Sequence, residues 1–347
     1  MNKRNYWHRQ YVKQLEEKLH SGEPYIFGDK LIAYILSGLC LILCLFTFQR
    51  IHTKIKNEIT TSYFKLTSDK LLKIVFFDVT QGDGILITLP NEKSFLIDTG
   101  PGRGMVVQES EPGTLITEID AGQEVIVPYL ERYKINLDGI VITHPHTDHF
   151  GGTRSILEAG FVPKWFMDAK LETSHPEYLS LLNTIYRMKI NYKIAKSQQK
   201  IQLDPEVDIE ILGPIQRYQS ETVDRADNNS SIVIKLTYRN FSVLFTADIE
   251  TFAEMDLLEY RDKLKSTILK VPHHGSFTST SEPFLDHVSP EVAIISCGRG
   301  NPFGHPHQVT LEKLNQRGIK IYRTDQNGNI TVFSDGLTYS VHTEREY

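Results

Sequence analysis

The chain has 347 residues, 40 % of them apolar and 23 % charged, ample to bury the core of one large domain or two ordinary ones. Of its three cysteines, Cys40 and Cys44 fall in an apolar N-terminal run and leave Cys297 without a soluble partner, which excludes a disulfide framework and a cysteine-based zinc site. The net charge of −5 hides an asymmetry: residues 1–73 carry 12 Lys/Arg against 6 Asp/Glu, and the remainder carries 26 against 37, a balance of −11.

Residues 1–30 are basic and partly amphipathic. Trp7, Tyr11, Leu15 and Leu19 recur every fourth residue with basic residues among them, a pattern that fits an interfacial helix on anionic lipid and equally an ordinary solvated helix with a packing stripe. The run LIAYILSGLCLILCLFTF, residues 31–48, carries no charge and is bracketed by Lys30 and Arg50. As a helix it rises about 27 Å, close to the ~30 Å hydrocarbon core of a bilayer. The basic flanks favour a single transmembrane helix over a buried core helix, and QRIHTK after it offers no small-residue cleavage site. Lys13, Lys18 and Lys30 on one side and Arg50, Lys54, Lys56 and Lys65 on the other do not decide its orientation. Residues 49–72 are polar and read as a linker.

From there on the texture changes. KIVFFDV, GILITLP, SFLIDTG and GIVITH are short β-branched or aromatic runs that predict strands, with Pro90, Asn91 and Glu92 at the tip of a hairpin and residues 103–122 as a surface loop. TRSILEAG and PEYLSLLNTIYRMK predict helices. A second strand-rich half comes next, with VDIEILGP, SIVIKLTYRN, FSVLFTAD, STILKVPHH, VAIISCG and NITVFSDG interleaved with helices near 249–260 and 308–317. Two such halves predict an α/β architecture of two sheets packed face to face with helices outside.

Chemistry concentrates in ITHPHTDHFGG, residues 142–152. The strand ends near Thr143, so His144, His146, Asp148 and His149 fall on the loop at its carboxyl end, where α/β proteins place ligands. Three imidazoles and a carboxylate this close would repel on protonation unless a cation holds them, and their donor atoms suit Zn²⁺ or Mn²⁺ rather than Ca²⁺. Asp248 ends an apolar strand, where an unpaired carboxylate is costly to bury. It reads as a metal ligand, as an N-cap for the helix after it, or as both. Asp98 precedes a Thr-Gly turn, while Asp78 and Asp83 flank Gln81 and Gly82 in a tight loop. His273 and His274 close another strand, and His305 and His307 lie in GHPH.

The pattern His-x-His-x-Asp-His after a strand resembles the metallo-β-lactamase superfamily, whose fold is an αββα sandwich with one or two metals at one edge. FFDVTQGDGILI, LIDTGPG, DAGQEVIVPYL, DNNSSIVIKL, LFTADIE, LKVPHHGS and NPFGHPH stand in the order found in the C-terminal domain of the ComEC family of competence proteins, so the resemblance covers roughly residues 73–340. It implies a hydrolase domain over 73–347, with His144, His146, Asp148, His149, Asp248 and one of His273 and His274 holding one or two ions of Zn or Mn, and Asp248 bridging them. It makes Asp98 an outer residue that orients ligand imidazoles by hydrogen bonds, while Asp78 and Asp83, in the tight loop near the same edge, serve either that purpose or only the turn. Asn228, Asn229 and Ser231 are expected to position water or phosphate, Asp148 to take part in catalysis, and His305 and His307 either to contact a phosphate or protonate a leaving group or to brace the helix after Val309. Many two-metal relatives have a further histidine between the first motif and the bridging aspartate; the one candidate here, His175, lies outside every matched block. Thr80 and Ala247 stand where the family more often has glycine, which bears on loop geometry rather than on ligands.

A metal held by His and Asp with an open position lowers the pKa of its water to about 7, so hydrolysis is the expected chemistry. The resemblance implies a DNase or phosphodiesterase linked to DNA uptake, on the extracytoplasmic side of the cell membrane and with other competence proteins as partners. The −11 balance offers no general pull on DNA, whose sequence-independent affinity comes mainly from Lys/Arg contacts to phosphate. The alternatives are a membrane-tethered metallohydrolase acting on a lipid headgroup, wall polymer or small molecule, and a DNA-uptake module whose site is vestigial.

Overall fold

A computed structural model describes residues 71–107, 113–171, 175–218 and 223–346, together with five helical positions near the N-terminus (10, 13, 14, 16 and 17). The expected interfacial stripe (Trp7, Tyr11, Leu15, Leu19), the expected membrane helix 31–48 and nearly all of the expected linker 49–72 lie outside the described residues. Among the described residues no helix is long and apolar enough to cross a membrane. The chain divides into two units, Met1–Thr67 and Ser68–Tyr347.

The second unit is built on two sheets. In chain order the strands are β1 (Leu72–Phe76), β2 (Gly84–Thr88), β3 (Ser94–Thr99), β4 (Val106–Val107), β5 (Leu115–Ile116), β6 (Gly139–Val141), β7 (Trp165–Asp168), β8 (Asn191–Ile194), β9 (Val207–Gly213), β10 (Val233–Tyr238), β11 (Phe241–Phe245), β12 (Ile268–Lys270), β13 (Val292–Ile295), β14 (Lys320–Arg323), β15 (Ile330–Ser334) and β16 (Tyr339–Thr343). The first sheet runs β16-β15-β1-β2-β3-β6-β7-β8 and the second β14-β13-β12-β11-β10-β9. In each sheet one side is antiparallel and the other parallel: β3, β6, β7 and β8 in the first, β11 to β14 in the second.

Strand alternation explains the layering. In β1, Leu72, Ile74 and Phe76 face one way and Val75 the other. The first set joins Ile85, Phe95 and Ile97 against Ile209, Ile234, Val243 and Phe245 of the facing sheet, with the Phe76 and Phe245 rings 6.1 Å apart. On the opposite face of the first sheet Val75, Leu86, Leu96 and Ile140 pack against the helical residues Leu130, Ile156, Leu181 and Ile185. On the outside of the second sheet Leu244, Leu269 and Ala293 pack against Leu257, Phe284, Leu285 and Leu314. The order is therefore helices, sheet, sheet, helices, the αββα sandwich.

Two sequence expectations change in detail. The loop expected over 103–122 carries the β4–β5 ribbon. The region after the histidine motif, read only as helices, also contributes β7 and β8, which extend the first sheet by parallel pairing.

Candidate metal centre

The parallel strands bring their carboxyl ends to one edge, and β3, β6, β11 and β12 each deliver polar groups there. Asp98 lies within β3, Thr143 and His144 follow β6, Asp248 follows β11, and His273 and His274 follow β12. The side chains are buried: Asp98, His149, Asp248, His273 and His274 are fully covered, and Asp148, His144 and His146 nearly so.

Three imidazoles present the same arrangement, with Nδ1 tied outward and Nε2 turned inward. His149 Nδ1 meets Asp98 Oδ2 at 2.8 Å, and its Nε2 lies 3.1 Å from Asp248 Oδ2. His274 Nδ1 faces the Ser296 carbonyl at 2.9 Å; a carbonyl only accepts, so this nitrogen carries a proton, and Nε2 points at Asp248 Oδ2 (3.1 Å) and Asp148 Oδ2 (3.3 Å). Thr143 Oγ1 donates to Asp98 Oδ2 at 2.7 Å and so is left to accept from His144 Nδ1 at 3.1 Å. Asp98 also accepts from the Thr143 backbone N–H at 2.8 Å. One aspartate thus orients two imidazoles, the arrangement by which metal-ligating histidines are usually fixed.

Asp148, His149, Asp248 and His274 each place one ligand atom within 4.8 Å of the others. His144 Nε2 is 3.9 Å from Asp248 Oδ2, and the His146 ring lies 4.5 Å from that of His144. Asp248 Oδ1 and His144 Nε2 are buried with no hydrogen-bond partner. Orphaned buried lone pairs are expensive, and a cation among them removes the cost; the donor set, imidazole with carboxylate, fits Zn²⁺ or Mn²⁺.

The charges agree. Burial alone would lower the His149 and His274 pKa values, yet the Asp248 carboxylate first, then the other aspartates, hold both well above the ordinary imidazole value. His144 is pushed well below it by burial and by its neighbouring histidines. Burial would raise Asp148, but His149 and His274 bring it down to about 2.

The local sequence explains how the loops fit. Gly82 has φ of +123°, and a Cβ there would sit 2.1 Å from the Asp148 carbonyl oxygen. Gly122 and Gly152 pass so closely that a Cβ on Gly122 would come within 2.0 Å of the Gly152 carbonyl oxygen. The first contact lets the 77–83 loop, and the second the chain at Gly122, pack closely against the histidine loop and the glycines after it.

The remaining expected residues divide between the cluster and its surroundings. Of the pair left open, His274 is in the four-residue cluster; His273 stands apart, its Nδ1 3.2 Å from Thr278 Oγ1 and its Nε2 3.5 Å from Asn228 Nδ2. Asp83 forms a buried ion pair with Lys270 and lies 3.9 Å from His149 Nδ1 and from His274 Nδ1. Asp78 instead pairs with Arg345 at 2.7 Å and does not join the cluster. The helix after Asp248 begins at Thr251 with Glu250 at the N-cap position, so Asp248 is not its cap. Asn229, expected at phosphate, accepts the Glu250 and Ala253 N–H groups at 3.1 and 3.2 Å and anchors that helix. Asn228 Oδ1 and Ser231 Oγ are buried at this edge without hydrogen-bond partners. His305 takes the Gln81 carboxamide N–H on Nδ1 at 3.4 Å, and its ring is 6.1 Å from that of His274. His307 accepts the Phe277 backbone N–H at 3.2 Å, a bracing role. His175 contacts Glu177 at 3.1 Å and the Phe150 ring, away from the cluster.

Lys270 was not foreseen. Its ammonium is fully buried at the end of β12, paired with Asp83, 3.2 Å from the Ala247 carbonyl and 3.8 Å from Asp248 Oδ1. The signal was present as a lone lysine between Leu269 and Val271 in an apolar strand.

An αββα sandwich with such a centre at its edge defines a class of metal-dependent proteins, and the metallo-β-lactamase superfamily model matches residues 77–299. The chain belongs to that superfamily. Within it the chain is similar to ComE operon protein 3 of Bacillus subtilis, with 31 % identity over 267 residues, 74 % of this chain and 32 % of that protein. It is similar also to Recombination protein 2 of Haemophilus influenzae, with 32 % identity over 280 residues, 80 % of this chain and 31 % of the relative. Competence protein ComA of Neisseria gonorrhoeae is 30 % identical over 259 residues, 74 % of this chain and 31 % of the relative. The aligned part spans about a third of each relative's length.

Proposed function

We propose that this chain is a metal-dependent phosphodiesterase that cleaves DNA, held at a cell membrane through residues 31–48 with its hydrolase domain on the extracytoplasmic side, and working with other proteins of DNA uptake. The observation that carries the reading is the convergence of Asp148, His149, Asp248 and His274 within 4.8 Å. The relatives named for competence and recombination support DNA as the substrate. Asp148, His149, Asp248 and His274 would hold one ion, and His144 and His146 with Asp248 a second. A divalent ion so held polarises a phosphoryl oxygen and lowers the pKa of water.

The chain's own groups do the rest. Asp98 and the Ser296 carbonyl fix the ligand imidazoles so that no reorganisation is needed at reaction. The Ser231 hydroxyl donates to a phosphate oxygen and Asn228 Oδ1 accepts from the attacking water, two hydrogen bonds that their buried atoms otherwise lack. His305, next to His274, protonates the leaving oxygen. The −11 balance of residues 74–347 favours a second reading, a small or lipid-borne phosphodiester as substrate.

The test uses the full chain. Elemental analysis is expected to find one to two equivalents of Zn²⁺ or Mn²⁺, falling in Asp148→Ala, and the loaded protein to cut a labelled single-stranded oligonucleotide. Cleavage of bis(p-nitrophenyl) phosphate alone would favour the second reading, and a chain that takes up no metal would refute both.

A further inference from the structure

The centre is joined to solvent by a file of rings. His274 and His305 are 6.1 Å apart between centroids, His305 and His307 5.1 Å, and His307 and Phe277 5.0 Å. Exposure rises along the file: His274 is fully buried, His305 is 4 % exposed, His307 is intermediate and Phe277 is 56 % exposed. Phe277 lies three residues after His274 in sequence, so its distance from the centre is set by a short, ordered stretch of chain.

A single exposed phenylalanine is ordinarily no more than surface. This one is fixed. Its N–H bonds His307 Nδ1 at 3.2 Å, and its ring meets the His307 ring edge-on at 77°. The loop around it is clasped on both sides: Thr251 donates to the Thr278 carbonyl from its N–H (3.1 Å) and hydroxyl (2.7 Å), and the Thr310 hydroxyl donates to the Ser276 carbonyl at 3.1 Å. The buried Glu254 carboxylate accepts the Ser281 N–H at 2.8 Å just beyond. An apolar ring held edge-on against His307 and exposed to water near the candidate centre has no folding role that needs its exposure; a ring on a well-braced loop does bind a flat partner at low entropic cost.

Charge narrows the partner. Contacts between Lys/Arg and phosphate supply most sequence-independent nucleic-acid affinity, and residues 74–347 are net −11. Base stacking on an aromatic face does not depend on net charge and tolerates any base. We propose that Phe277 is the platform on which a nucleobase beside the reacting phosphodiester stacks, so that the preferred substrate is a single strand whose bases are free of pairing. The inference rests on the phosphodiesterase reading above.

The test is steady-state cleavage by the full chain loaded with Mn²⁺, using a labelled single-stranded oligonucleotide and a same-length oligomer of abasic sites. Phe277→Ala raises KM for the oligonucleotide about tenfold, the order set by one lost base–aromatic stack, and leaves kcat within about twofold. Phe277→Leu, which keeps apolar bulk without a π face, behaves as Phe277→Ala, whereas Phe277→Trp restores the wild-type KM. Tyr186→Ala, which removes another exposed ring far along the sequence (82 % exposed), changes nothing. The abasic oligomer shows the weak KM of Phe277→Ala with every variant. A KM unmoved in Phe277→Ala, restored by Leu, or equally low for the abasic oligomer overturns the stacking role while the phosphodiesterase reading stands. Failure of the wild type to cut either oligomer overturns both.

Discussion

At the scale of single residues, the centre depends on buried charges that are viable only together. Asp83, Asp98, Asp148 and Asp248 are all buried, and among the described residues near them the one fixed cation is Lys270. Removing one partner of a buried ion pair leaves the other uncompensated. Lys270→Met is therefore expected to lower the unfolding free energy by roughly 3–5 kcal/mol, read by urea denaturation in the presence of a chelator. Lys270→Met with Asp83→Asn should recover much of the loss; a double variant no better than the single one would show that the pair is not the cause. The metal motif was legible because His-x-His-x-Asp-His is dense and follows an apolar strand. The choice between His273 and His274 was not, since both residues take left-handed backbone angles (φ 48° and 52°) and only the resulting turn sends His274 inward. Asn229 was ambiguous for a related reason: a short polar side chain serves as well to anchor a helix as to meet a phosphate, and the bonds from the Glu250 and Ala253 N–H groups are visible only in the fold.

At the scale of elements, the strands with strong β-branched runs were readable, from KIVFFDV to VAIISCG, because alternation and hydrophobicity agree in them. β8, Asn191–Ile194, is a four-residue edge strand, mostly exposed, whose Tyr192 and Ile194 give too short an alternation to read, and it pairs with β7. The ribbon of β4 and β5 has two residues on each side, below what periodicity can resolve. Two turn residues, Thr80 and Ala247, sit at φ of 68° and 47°, the region that favours glycine. At Ala247 the surroundings enforce the angle: its carbonyl accepts both the His273 N–H at 3.0 Å and the Lys270 ammonium at 3.2 Å. Ala247→Gly should relieve the strain, raising stability by about 1 kcal/mol and the melting temperature by about 2 °C, with metal content unchanged. Ala247→Val, branched at Cβ, should shift the melting temperature the other way. An Ala247→Gly protein that melts lower would show that the turn carries no strain to relieve.

At the scale of the whole molecule, folding and metal uptake compete for the same protons. Without metal, His149 and His274 hold protons against the Asp248 and Asp148 carboxylates, with pKa values well above the ordinary imidazole value of about 6.5. Because these folded-state values are raised, the stability they contribute is fully present below about pH 6.5 and is lost as pH rises through the folded values. Asp148 is lowered to about 2, so its contribution is present above the usual carboxylate value of about 4 and is lost as pH falls toward 2. These groups favour the metal-free protein between about pH 4 and 6.5, and His144, held well below the ordinary imidazole value, opposes them by removing stability as pH falls below about 6.5. An incoming ion needs the Nε2 atoms of His149 and His274 unprotonated, and so must release those protons. Metal should therefore bind more weakly at pH 5.5 than at pH 8, and the rise in melting temperature on adding Mn²⁺ should grow across that interval. Calorimetric titration in buffers of different ionisation enthalpy should register protons leaving as metal enters. A thermal shift independent of pH, with no proton released, would mean that the metal does not bind where these two imidazoles meet Asp248.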